Sequence, residues 1–421
     1  MTVKRLKMTV SYQTRKRHTR YSRDTFEKDP QGTEFISDVG HFSLLNVRVL
    51  NASVDTLRQL FKGYCKTEWI EAMESIQQSE DKTPITIIDD DFQVGHGGRS
   101  GYRYRLQNNE LGIIIFIGNR YAKTNEFGSH LKIECSPHWL SQRQPITAYG
   151  KLAQYAQMLM GHVEPAGCAV HLAIDVQGWT PPEDFEKRLV TRSKRRASFH
   201  EIDEITLEGG TACQVYGDRE TFMFGSASGC QFSMYKKKVE ALKRDKLDYW
   251  ESIWKQKVND DFKPQYNPEE EVWRLEFRFH HSVINQLHFD GATYQTYKDI
   301  SKHLQAIFDY GLHVFRLDYS KTYVDPMWQL LSEDVVFSEH VDDLIVQRVY
   351  KTPARGSERN IGLLLGNMVS LYARHGFQAK ALYKFIQKSE IYFEIDEYFK
   401  KRDVSLYQYL EEALARKRLV G

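Results

Sequence analysis

Two short stretches hold residue types that suit an attack on a phosphodiester. The first is FGSASGCQFSMYKKKVE, Phe224 to Glu240. A turn, Gly225-Ser226-Ala227-Ser228-Gly229, opens an alternating run from Cys230 to Lys237. Successive side chains of a strand point to opposite faces, so Gln231, Ser233 and Tyr235 share one face and Phe232 and Met234 the other. Tyr235 ends that strand, and Lys236, Lys237 and Lys238 follow at once. Cations there would attract a DNA strand and favour the phenolate that attacks phosphorus. The same residues also suit a plain half-buried strand with solvated lysines, and spacing alone does not separate the two.

The second stretch is VWRLEFRFH, Val272 to His280. Strict alternation puts Arg274, Glu276, Arg278 and His280 on one face and Leu275, Phe277 and Phe279 on the other, the mark of a strand with one face on the core. An acid flanked by two arginines is either an exposed salt-bridged face or a carboxylate, metal-binding or basic, in a phosphate groove.

In this order the two stretches, GSxSxxxxxxYxK and then RLEFR, resemble the replication initiation factors of rolling-circle plasmids and filamentous phages, the trans-acting Rep type. That family also includes relaxases of integrative conjugative elements. Gly98-Arg99-Ser100-Gly101-Tyr102 is similar to its early GY-containing strand. Phe127 to Glu134 is similar to its glycine-led strand ending in an acid, and His171-Leu172-Ala173-Ile174-Asp175 to its R-x-D-L-A-x-D strand. The resemblance covers about residues 35 to 285 and departs at Ala169 and His171, where the family has Arg and Asp.

The resemblance implies a metal-dependent, site-specific DNA nicking-closing enzyme. Tyr235 would be the nucleophile, leaving a 5′-phosphotyrosine and a free 3′-hydroxyl, with Lys237 assisting. Glu276, then Asp175 and Glu134, would hold Mg²⁺ or Mn²⁺, since hard cations prefer oxygen. Lys236, Lys238, Arg274 and Arg278, with the basic run Arg192, Lys194, Arg195 and Arg196, would contact DNA. Partners would be double-stranded origin DNA, the nicked single strand, a host helicase and polymerase, and a second copy in a homodimer. A relaxase would use the same chemistry. A DNA-binding regulator or an RNA-binding protein would keep the fold without it.

Other features bound these readings. The 421 residues allow two or three domains, and a net charge of +2 confines nucleic-acid binding to local patches. No apolar run approaches the roughly 18 residues of a membrane span, and no apolar signal segment opens the chain. The five cysteines form no CxxC pair, which fits the reducing cytoplasm of a bacterial host. His96-Gly97-Gly98 lacks the Gly-Lys-Ser/Thr of a nucleotide-binding loop.

The elements that must position the site read as follows. Residues 1–30 form a basic, flexible tail. A strand ends at Leu50. Ser53 then caps a helix, with Asp55 in its first turn, that runs to about Gln78. Strands follow at Ile85–Ile88, Tyr102–Leu106, Ile113–Ile117 and His130–Glu134, a helix at Lys151–Met160, and a strand at Cys168–Val176. On that strand His171 and Asp175 lie about 13 Å apart, too far to share one ion without a bend. Lys237–Lys257 reads as a helix before the closing strand. The fold class is α+β: a mainly antiparallel sheet with flanking helices, in two similar halves, across residues 31–285. Residues 286–421 form a mainly helical domain for DNA recognition or oligomerisation, with helices at Thr296–Phe308, Ile361–His375, Gln378–Gln387 and Leu406–Lys417.

Overall fold

Alternating strands build a sheet with one dry face and one polar face, and everything else is laid on it. The computed structural model describes residues 9–13, 23–79, 83–191, 196–199, 204–206, 212–214, 221–258, 263–338, 345–349, 358–400 and 403–419. The main sheet has eleven strands: β1 (Arg48–Cys65), β2 (Ile85–Ile87), β3 (Asp90–His96), β4 (Tyr102–Asn108), β5 (Ile113–Asn119), β6 (Gly128–Cys135), β7 (Met160–Gln177), β8 (Arg196–Phe199), β9 (Thr221–Gly225), β10 (Cys230–Lys236) and β11 (Val272–Phe279). Their order is β8-β9-β10-β11-β7-β1-β6-β5-β4-β3-β2, and neighbours are antiparallel. The fold is α+β, as the alternation predicts.

The two 18-residue strands β1 and β7 pair at the centre. Each begins one half of the sheet, and each half's last strand returns beside it, β6 on β1 and β11 on β7. On the dry face Leu57, Leu131, Val170, Leu172, Phe232 and Phe277 are buried in one core. Helices at Pro145–Leu159, Leu304–Val314 and Pro326–Asp334 contribute Leu152, Phe308 and Trp328 to that core. Phe277 meets Phe308 edge-on, and Phe232 meets Trp328.

Several expectations change here. The helix expected from Ser53 is strand; helix α1 spans only Thr67–Gln78. Pairing along β7 overrides the local cap signal. The helix expected over Lys237–Lys257 breaks into α2 (Lys237–Lys243) and α3 (Leu247–Trp254), with Asp245 between them at φ 54°. The first compact unit ends at Val349 rather than near 285, because residues 286–338 complete the core of the sheet. Nor is the N-terminal segment simply a free tail. Thr9–Gln13 pairs with Ile345–Val349, and Arg23 makes an ion pair with Asp318 at 3.3 Å. Residues 1–8 and 14–22 lie outside the described residues.

The second unit, Tyr350–Gly421, holds helices Glu358–Arg374, Ala379–Gln387, Tyr392–Lys400 and Leu406–Leu419. Leu365, Leu382, Ile386, Leu410 and Leu414 form a core of their own. Among the described residues no helix is long and apolar enough to cross a membrane.

Candidate active site

The polar face of the sheet assembles the site by register. On β11, Arg274, Glu276 and Arg278 lie opposite Asp175, Ala173 and His171 of β7. On its other side they lie opposite Tyr235, Ser233 and Gln231 of β10. Small side chains, Ala173 and Ser233, flank Glu276 and leave room around its carboxylate.

A bulge supplies the remaining member. His171 pairs with Thr56 and Leu172 with Val54, so Asp55 is an extra residue in β1. Such bulges re-aim a side chain. Asp55, His171 and Glu276 each bring a ligand atom, and these atoms lie within 4.8 Å of one another. Two carboxylates and an imidazole at that spacing fit a divalent cation.

Hydrogen bonds define the charge state of the cluster. His171 Nδ1 lies 3.0 Å from Glu276 Oε1. Arg278 grips the same carboxylate with two donors, at 2.8 and 2.7 Å. Burial pushes the Glu276 carboxyl up, but Arg278 and His171 outweigh it and hold it well below the usual range. Burial lowers the His171 imidazole's pKa. Tyr235 Oη donates to Glu276 Oε2 at 3.3 Å. Burial, then Glu276, drive this phenol well above its ordinary value, with Arg274 opposing. Tyr235, Glu276, His171 and Asp55 all face one cavity of about 680 Å³.

Of the residues singled out in the sequence, Tyr235 and Glu276 come together and Arg278 joins them. Asp175 does not. Its carboxylate accepts two bonds from Arg274, at 2.6 and 2.7 Å, and one from Trp254 Nε1 at 2.9 Å. Fully buried, Asp175 is a partner for Arg274 rather than an ion ligand. Arg274 in turn reaches Asp55 at 2.5 Å and stacks on Trp250, so it is closed to DNA phosphates. Glu134, on β6, lines the cavity but pairs with Lys132 of the same strand and Arg58 of β1, at 2.8 and 3.1 Å, outside the cluster.

The lysines also differ from expectation. Lys237 is buried, pairs with Glu240 at 2.6 Å and lies over the Trp250 and Tyr235 rings, and the Tyr235 phenol beside it stands well above its ordinary value. Lys238 donates to the carbonyls of Pro268 and Glu270. Lys236 lies opposite Trp273, on the other face of the strand from Tyr235. Arg192, Lys194 and Arg195 lie outside the described residues. Arg196 opens β8, and its side chain is not described.

Sequence reasoning missed Asp55, because Ser53-Val54-Asp55 mimics a helix start. Arg244 and Lys246, which line the cavity, were also missed, although the run Lys243-Arg244-Asp245-Lys246 marks them.

The fold and cluster thus define an α+β protein with a carboxylate and histidine site beside a partly buried tyrosine. No family model matches the chain. Over 392 residues, 89% of each chain, it is 39% identical to the uncharacterized protein ORF430 of Pseudomonas phage Pf1. The chain belongs to the family of that phage protein.

Proposed function

We propose that this protein initiates rolling-circle replication of a filamentous phage genome by nicking and rejoining one strand through Tyr235. The observation that carries the reading is the Tyr235 hydroxyl aimed at Glu276 within a cluster of three ligand-bearing side chains on the floor of a cavity. In the nicking step Tyr235 Oη forms a bond to phosphorus and the bond from phosphorus to O3′ breaks. The phenolic proton, directed at Glu276, passes from there to O3′. Rejoining is the reverse, so the phosphodiester's energy is kept.

Asp55, His171 and Glu276 would hold Mg²⁺ or Mn²⁺. Such an ion polarises a phosphoryl oxygen and favours the ionised phenol. At His171 the cluster departs from the motif, with an imidazole where the family has an acid. The freed 3′-hydroxyl would prime a host polymerase behind a host helicase. Pf1 being a filamentous phage favours an initiator over a conjugative relaxase.

The test is a covalent-adduct assay on supercoiled DNA of the protein's own replicon. A nucleotide adduct on Tyr235 that needs Mg²⁺ or Mn²⁺ and vanishes in Tyr235→Phe supports the reading. Tight binding without nick or adduct makes the protein a non-catalytic DNA-binding regulator.

A further inference from the structure

A second, smaller cavity of about 250 Å³ adjoins the cluster. Arg58, Lys132, Arg278 and His280 line it, with Ala227 and Ser228 of the turn between β9 and β10. Among the described residues its lining contains no carboxylate. The acids that pair with these cations, Glu134 and Glu276, line the larger cavity instead. His171 and Arg278 belong to both walls, so the two cavities meet at the cluster. The turn is tied in place: His280 N donates to Gly229 O at 2.9 Å, and Ser282 Oγ to Ser228 O at 3.2 Å. This is a built, cationic recess, smaller than the roughly 300–1,000 Å³ of ordinary small-molecule sites and suited to a phosphate with its sugar.

Register gives it a direction. Along β10 and β11, Tyr235 lies opposite Arg274, Ser233 opposite Glu276, and Gln231 opposite Arg278. Tyr235 and Gln231, which lines the recess, therefore stand on opposite sides of Glu276, about 13 Å apart along the strand. In phosphoryl transfer the attacking and leaving oxygens lie roughly in line through phosphorus. With Tyr235 attacking from one side, O3′ departs toward the recess.

We propose that this recess binds a backbone phosphate of the departing strand, the one that ends in the new 3′-hydroxyl, and so retains that end for rejoining. The assignment of direction rests on the nicking reaction proposed above; the assignment of a phosphate does not. Retention matters because a 3′ end that diffuses away leaves the phosphotyrosine without its nucleophile for closure.

Two measurements on the full chain test it. The first titrates a fluorescent, single-stranded oligothymidylate against the natural chain, Lys132→Gln and Ser228→Asp. Ser228 is exposed, so its substitution adds a negative charge at the rim without disturbing the core. Each variant is expected to weaken binding about tenfold and to lower the log–log salt slope by about 0.7 for one lost phosphate contact. Unchanged affinity and slope in both, or no binding by the natural chain, overturn the phosphate site. The second measurement follows supercoiled replicon DNA with Mg²⁺. Counted per Tyr235 adduct formed, Ser228→Asp is expected to raise the share of open over reclosed circles several-fold. An unchanged share overturns the direction. If the natural chain makes no nick, the direction falls together with the nicking reading, and the binding measurement alone still decides whether the recess takes phosphate.

Discussion

Tyr235 donates its phenolic hydrogen to Oε2 of Glu276 at 3.3 Å, and Arg278 donates to the same oxygen at 2.7 Å. One carboxylate therefore faces both the tyrosine hydroxyl and a cation. Arg278 keeps it ionised, and its charge, added to burial, keeps the phenol neutral. Tyr235 thus rests protonated, and the nicking proposed above requires its ionisation to be promoted.

From this follows a pH dependence. Only the phenolate attacks, and below a raised pKa its share grows tenfold per pH unit. The Tyr235 adduct rate is expected to rise steadily through the alkaline range, and to rise at lower pH when Mn²⁺ is present. A rate flat from pH 7 to 10 would show that phenol ionisation does not limit the step. Glu276→Gln removes the proton acceptor and one ligand, so adduct formation should fall by at least about 100-fold. Near-natural nicking by that variant would remove Glu276 from the chemistry.

Asp55 and Asp175 are separated by what binds them. Both accept from Arg274, but Asp55 also lies with His171 and Glu276, whereas Asp175 takes two donors from Arg274 and a third from Trp254. Saturating Mn²⁺ should raise the melting temperature of the natural chain, since an ion at about 100 times its Kd adds about 2.7 kcal/mol. Asp55→Asn and His171→Ala should abolish that rise. Asp175→Ala should keep it while losing about 3–5 kcal/mol of stability, because it breaks a buried ion pair and leaves Arg274 with Asp55 as its remaining carboxylate. If Asp175→Ala abolishes the Mn²⁺ response and Asp55→Asn spares it, the ligand assignment is reversed.

The strand carrying Glu276 was legible in the sequence because alternation is local: RLEFR announces its two faces whatever it pairs with. The same holds for Tyr235. What Asp175 does was not legible, because its partner Arg274 lies 99 positions away and only register brings them together. Asp55 was hidden by a bulge, which breaks the two-residue period at the one place where the site needs an extra side chain. Helical periodicity over 296–308 was visible, but not that Ile307 and Phe308 fill the dry face of the sheet. Periodicity says that a helix has an apolar stripe, and not which core receives it.

His280 sets a stability dependence on pH. Burial and the neighbouring His281, Arg58 and Lys132 lower its imidazole from 6.5 to about 4. The folded protein therefore binds fewer protons than the unfolded chain between those values, and stability falls as pH falls through that window. Urea melts at pH 7 and pH 5 should show the loss, and His280→Gln, which does not titrate, should show less of it. An equal loss in both would assign the acid sensitivity to other groups.

Gly225 closes β9 onto the turn that leads to Tyr235, with φ at +98°. A Cβ at this position would collide with the carbonyl oxygen of Cys230, which is backbone and accepts the amide of Ser226 at 3.1 Å. Neither the conformation nor the neighbour yields to a side chain, so Gly225→Ala should cost more than about 1 kcal/mol. Gly229, at the other end of the turn, has no such φ, and its nearest neighbour to a Cβ is Ser226 O at 3.7 Å. Gly229→Ala should therefore stay within about 0.5 kcal/mol of the natural chain. Denaturation midpoints measure both. The adduct assay adds a second readout, because strain at Gly225 feeds directly into β10. If Gly225→Ala melts normally and still forms the adduct at the natural rate, the turn does not hold Tyr235 in place, and its position comes from pairing with β9 and β11.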